Sequence, residues 1–184
     1  MVGHRYELST QPERRRDELP INLAGGAGLV STIDDYSRFL QTLMNDGMYR
    51  GQRVFSASSV QQVTQNQLPG IGSIRGLSSN RGFLEVDAAG YGFGLGVYVL
   101  TNPEEAPGGS LSGRGEFGWG GLASTGFYVD PHPDKRIYHI FMTQLLPSSA
   151  YPIRSHMRYV THLLSQDSRA SASSNARQSS LQQS

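Results

Sequence analysis

The stretch of this 184-residue chain best suited to chemistry is GEFGWGGLASTGFYVDP, Gly115 to Pro131. It sets the single tryptophan, Trp119, between glycines. After Gly120 and Gly121 come small residues, then an aromatic, β-type run that stops at Asp130-Pro131. Glycine weakens a strand, so a strand that gives up its side chains marks a close approach by a ligand or by another backbone. Trp119, Gly120 and Gly121 pose the question of what needs that bare backbone. The competing reading is a tryptophan that packs beside a tight sheet turn.

Other chemistries are thinned out by composition. The chain has no cysteine, which removes thiol catalysis, disulfides and cysteine metal sites together. His4, His132, His139, His156 and His162 are scattered and show no H-x-x-x-H or H-E-x-x-H spacing, so no metal is expected. The glycines of Gly25 to Gly28 precede a helical pattern, but no G-K-[ST] follows and G-x-G-x-x-G fails at Ser31. They suit a tight entry into the helix better than a phosphate. A net charge of +1 argues against nucleic acid or an anionic membrane as main partner. The run Arg14-Arg15-Arg16 is followed at once by Asp17 and Glu18. No apolar run approaches a membrane span, and the N-terminus has no signal-peptide core.

The elements that must position Trp119 can be read in outline. Ile33, Tyr36, Phe39, Leu40, Leu43 and Met44 recur at helical spacing and predict an amphipathic helix. Ser31 or Thr32 caps it, and Asn45-Asp46-Gly47 closes it. A second, short helix is predicted after Ser56, with Phe55 and Val60 placed for a hydrophobic staple. Leu68 to Gly90 reads as a long loop. YGFGLGVYVL, from Tyr91 to Leu100, reads as one strand with Gly92, Gly94 and Gly96 on a single bare face. Strands over Ala123 to Val129 and Arg136 to Gln144 flank DPHPD as a hairpin. A last helix is predicted from Pro152 to Leu164, burying Ile153, Met157, Val160 and Leu164. From Ser165 to Ser184 the composition predicts a disordered Ser/Gln-rich tail. Met1 leads almost directly into a strand near Arg5 to Ser9, as if the chain were cut from a longer domain.

Four phrases in this order, GGAGLVSTIDDYSRFLQTLMNDG, VTQNQLP, YGFGLGV and GEFGWGGLASTGFYVDP, resemble the C-terminal half of the serine β-lactamase-related family. That family includes class C β-lactamases, penicillin-binding-protein-like peptidases and β-lactamase-like carboxylesterases. The resemblance covers about residues 20 to 165. It implies an α/β fold, the C-terminal part of an antiparallel sheet flanked by helices, with one domain over residues 1–164. It also implies an acyl-enzyme serine hydrolase of esters, amides or related acyl compounds, with no cofactor. Trp119-Gly120-Gly121 falls at the K-T-G position, as in the esterase-like members, and the resemblance implies that these three residues bind the substrate, which lies against the strand edge. The N–H of Leu122 would then help form the oxyanion hole.

The other parts of that machinery are missing from the chain. Lys135 is its only lysine and has His132 three residues before it, so S-x-x-K is absent. No tyrosine is followed two residues later by Asn or Ser. The expected partner is thus the N-terminal half of the same domain. A non-catalytic acyl-binding module and one subunit of a split enzyme are the two alternatives.

Overall fold

The computed structural model describes residues 29–68, 70–71, 73–76, 88–107, 111–148 and 150–166. The chain divides into two units, residues 1–31 and 32–184, and every helix and strand among the described residues belongs to the second. The glycines at 25–28, the strand expected near Arg5 to Ser9, and the tail beyond residue 166 lie outside the described residues.

Helix α1 spans Ile33–Met44. Thr32 is its N-cap, its hydroxyl accepting from the Asp35 N–H at 3.1 Å. Asn45 is the C-cap, followed by Asp46 and Gly47 at positive φ, the left-handed ending expected of that tripeptide. The stripe is narrower than the spacing suggests. Leu40 and Leu43 are buried, while Ile33 and Phe39 stay exposed. A two-strand ribbon follows, β1 (Met48–Tyr49) and β2 (Gln52–Arg53). Arg50 and Gly51 between them both have positive φ, the geometry of a type I′ turn. Sequence periodicity gave no hint of this ribbon, because two-residue strands have none. Helix α2, Ala57–Thr64, starts at Ser56, whose hydroxyl caps the Ser59 N–H at 3.0 Å.

The main sheet is antiparallel in the order β3-β4-β5-β6-β7. Its strands are β3 (Tyr91–Phe93), β4 (Tyr98–Leu100), β5 (Phe117–Gly120), β6 (Gly126–Asp130) and β7 (Ile137–Phe141). The segment Tyr91 to Leu100 is therefore a hairpin, not one strand. Gly94 N–H bonds to Val97 O at 2.8 Å, and Gly96 has φ +91°. The bare glycine face is accounted for by the chain itself. A Cβ on Gly92 would lie 2.5 Å from Asn66 Cγ, and one on Gly94 would strike the Val63 carbonyl. The hairpin around DPHPD holds as expected, with Asp130 opposite Ile137 and Gly126 opposite Phe141.

One face of the sheet packs on α1 and α2 through Leu40, Leu43, Val60, Val99, Phe117 and Val129. Strand alternation sends Tyr128 and His139 to the other face, where α3 lies, helical over residues 153–166. The register of α3 corrects the expected stripe. Val160 and Leu164 are exposed, and the residues turned inward are Arg154, Arg158 and His162. This helix is fastened by polar groups whose partners lie far off in sequence, before and after β5 and on β6.

Candidate active site

Strand β5 ends at Gly120, and residues 121–125 turn the chain into β6. Gly121 N–H donates to Thr125 O at 2.8 Å, and Ser124 N–H donates to Gly121 O at 3.1 Å. Ser124 adopts φ +62°, held there by its hydroxyl bond to Leu145 O at 2.9 Å. Leu122 stands at the tip, 75% exposed. Its N–H makes no hydrogen bond among the described residues.

The glycines here answer to packing more than to empty space. A Cβ on Gly118 would meet Phe127 O and lie 2.5 Å from Tyr98 Oη. On Gly121 it would strike the Thr125 hydroxyl, and on Gly126 it would press on Arg154 Cδ at 3.1 Å. Trp119 is half-buried. Its ring meets Phe93 edge-on, centroids 5.3 Å apart, and packs on the cluster of Tyr91, Tyr98, Leu100 and Ala106. The structure thus brings Trp119, Gly120, Gly121 and Leu122 to one strand end and its turn. It gives Trp119 a packing role there as well.

Behind the turn lies a polar layer that sequence spacing did not reveal. Arg154, 8% exposed, donates from Nη2 to Gly121 O at 2.7 Å and from Nε to Thr125 O at 2.9 Å. One helical turn on, Arg158 grips the fully buried Glu116, with Nη2 at 2.8 Å and Nε at 3.2 Å from Oε2. Burial pushes the Glu116 carboxyl up, against the pull of Arg158. Arg158 also donates to Ser112 Oγ at 2.5 Å, and Ser112 Oγ lies 3.1 Å from His162 Nε2. Tyr128 Oη shares that nitrogen at 2.5 Å. Burial lowers His162 to about 4, helped by Lys135 and Arg158. His139, stacked on Tyr128 and bonded to Thr161 Oγ1 at 3.0 Å, is likewise lowered to about 4, burial first.

A Ser–His contact invites a nucleophile reading, but this one is built as a fastening. The Ser112 oxygen is buried and accepts from a guanidinium, and its histidine is already engaged by a tyrosine. Such a serine is made less nucleophilic, not more. Lys135 is also committed, with Nζ 2.5 Å from Leu111 O and 3.3 Å from Asp130 Oδ2. Between this layer and the sheet runs a cleft of about 290 Å³, bordered by Tyr91, Tyr98, Trp119, Tyr128, Arg154 and Arg158 among others. No group of three His, Cys, Asp or Glu that could hold a metal occurs among the described residues. None of their helices is long and apolar enough to cross a membrane.

The Beta-lactamase family model matches residues 3–159. Two curated proteins of Mycobacterium tuberculosis, Protein Rv1367c and the uncharacterized protein MT1414, are each 33% identical over 138 residues. Each match takes in 70% of this chain and 33% of the relative, so the chain spans about a third of their length. A solved beta-lactamase-like protein of Bacteroides dorei is 18% identical, with a TM-score of 0.42, over 78% of this chain and 45% of that one.

Proposed function

The chain belongs to the beta-lactamase family, and from that premise we propose that it carries the acyl-binding half of a serine hydrolase site. The nucleophile is supplied from outside these 184 residues, in a longer polypeptide or by a second chain, because S-x-x-K is absent here. The observation that carries the reading is the Leu122 N–H. It has no hydrogen bond among the described residues, and it sits directly after Trp119-Gly120-Gly121.

In the reaction, a serine oxygen adds to the acyl carbon and the carbonyl oxygen becomes an oxyanion that accepts from Leu122 N–H. Collapse of that intermediate expels the alcohol with a proton, and water then releases the acid from the acyl-enzyme. One such donor is typically worth ~3 kcal/mol of transition-state stabilisation. Trp119 tunes the substrate. Lysine at this position could pair with a carboxylate, whereas an indole offers an aromatic face and one N–H.

Neutral esters are therefore the proposed substrates, ahead of carboxylate-bearing β-lactams. The test compares kcat/KM for a short p-nitrophenyl ester and a cephalosporin, using this chain combined with an S-x-x-K segment. A preference for the ester supports the assignment; a clear cephalosporin preference sinks it.

A further inference from the structure

The same peptide group has a second side. In a trans peptide the C=O and N–H point in opposite directions within one plane, so whatever fixes the Gly121 carbonyl also aims the Leu122 N–H. That carbonyl is held by three donors: Arg154 Nη2 at 2.7 Å, Ser124 N–H at 3.1 Å and Ser148 Oγ at 3.2 Å. Arg154 is the charged one and the shortest. It comes from α3, 33 residues away in sequence, and its Nε takes the carbonyl at the far end of the turn, Thr125 O, at 2.9 Å. The absence of a side chain at Gly126 leaves room for its stem, which a Cβ there would touch at 3.1 Å.

We propose that Arg154 is a positioning residue of the acyl site: it turns the Gly121 carbonyl inward and so presents the Leu122 N–H, polarised, to the developing oxyanion. The inference rests on the reading of Leu122 as the oxyanion donor. Two physical effects act together. The clamp removes the rotation of the peptide that would otherwise have to be frozen during reaction. A charge-assisted hydrogen bond at the carbonyl also draws electron density along the amide, making its N–H a stronger donor. Because Arg154 is mostly buried, water screens little of this. In this role Arg154 acts through the peptide.

The test has two arms. In the chain docked with an S-x-x-K segment, carbon-13 and nitrogen-15 NMR, with only this chain labelled, reads the peptide directly for Arg154→Lys and Arg154→Met. The expected result is an upfield shift of the Gly121 carbonyl carbon in Arg154→Met, a smaller one in Arg154→Lys, and unchanged signals for Val99 and Val129 in the core. In the chain combined with an S-x-x-K segment, Arg154→Met should lower kcat for p-nitrophenyl butyrate by roughly 10- to 100-fold. KM should change little, and Arg154→Lys should recover part of the loss. A clamp of purely structural value would lower stability without that split between kcat and KM.

A third variant separates this inference from the reading beneath it. Replacing Leu122 by its α-hydroxy acid exchanges the N–H for an ester oxygen. If that change lowers kcat while Arg154→Met does not, Leu122 is the donor and the role of Arg154 is wrong. If the ester leaves kcat untouched, the oxyanion assignment itself falls, and the role of Arg154 in catalysis with it. An unmoved Gly121 carbonyl signal in both Arg154 variants overturns the proposal without any activity measurement.

Discussion

Acid should loosen α3 from the sheet before it unfolds the rest. His139 and His162 lie on either side of Tyr128, within reach of Ser112, Thr161, Arg158, Lys135 and Asp130. Both imidazoles sit at about 4 where the ordinary value is 6.5. Docked, they resist the proton; once α3 leaves, they take it up readily. A folded pKa below the open-state value means stability that is present above pH 6.5 and drains away as pH falls toward 4. At about pH 5 the loss is about 2 kcal/mol for each imidazole, roughly thirtyfold in the opening equilibrium. Glu116 works the other way. Its carboxyl is raised by burial, so its proton is held more firmly docked than free, and acid favours docking at that site. The comparison must therefore isolate the histidines. Hydrogen exchange of the α3 amides, corrected for intrinsic rate, should show protection falling between about pH 7.5 and about pH 5. His162→Gln keeps a polar partner for Tyr128 but cannot titrate, so it should remove about one imidazole's share of that fall. Equal pH slopes in wild type and His162→Gln would refute the reasoning.

Three further outcomes follow from the same contacts. Arg158→Met strands Glu116 without its cation and should cost about 3–5 kcal/mol in denaturant titration, with Arg158→Met/Glu116→Gln recovering much of it. Gly118→Ala drives a methyl against Phe127 O and Tyr98 Oη, and a lowered melting temperature is expected, eased in part by Tyr98→Phe. Trp119→Ala should reduce kcat/KM for a neutral ester more than tenfold in the S-x-x-K-complemented protein, a loss of ~1.4 kcal/mol. Because its ring also packs on Phe93, the melting temperature falls too, and Trp119→Phe is the variant that separates the two roles.

What could be read in the sequence was local or strongly patterned. The caps at Thr32 and Ser56 depend on neighbours three residues away, and so did the close of α1 at Asn45-Asp46-Gly47. The hairpin around DPHPD carried its own turn chemistry. The break inside Tyr91 to Leu100 was hidden because alternating glycines mimic the period of a strand, while Gly94 and Gly96 in fact build the turn. Helix α3 forms where its pattern places it, but its buried face departs from the apolar stripe for a deeper reason. Periodicity equates the buried side with the apolar one, and here burial goes to Arg154, Arg158 and His162. Their partners, Gly121, Glu116, Ser112 and Tyr128, lie 33 to 50 positions away, and no spacing rule links them. Trp119-Gly120-Gly121-Leu122 stood out as unusual, but the buried Arg154 bonded to Gly121 O and Thr125 O behind it could be seen only in three dimensions.

The measurement that bears most directly on the central claim is turnover of p-nitrophenyl butyrate by this chain alone and in combination with an S-x-x-K segment. Among the described residues strand β7 is last in the sheet order and Ile137 to Phe141 pair only with β6, so the isolated chain is expected to self-associate through that edge. Alone, it should release no nitrophenol above buffer. Combined, it should regain hydrolysis that disappears when the serine of the added S-x-x-K is changed to alanine. Hydrolysis by the chain unaided, or a docked and folded combination that remains inert, would contradict the account.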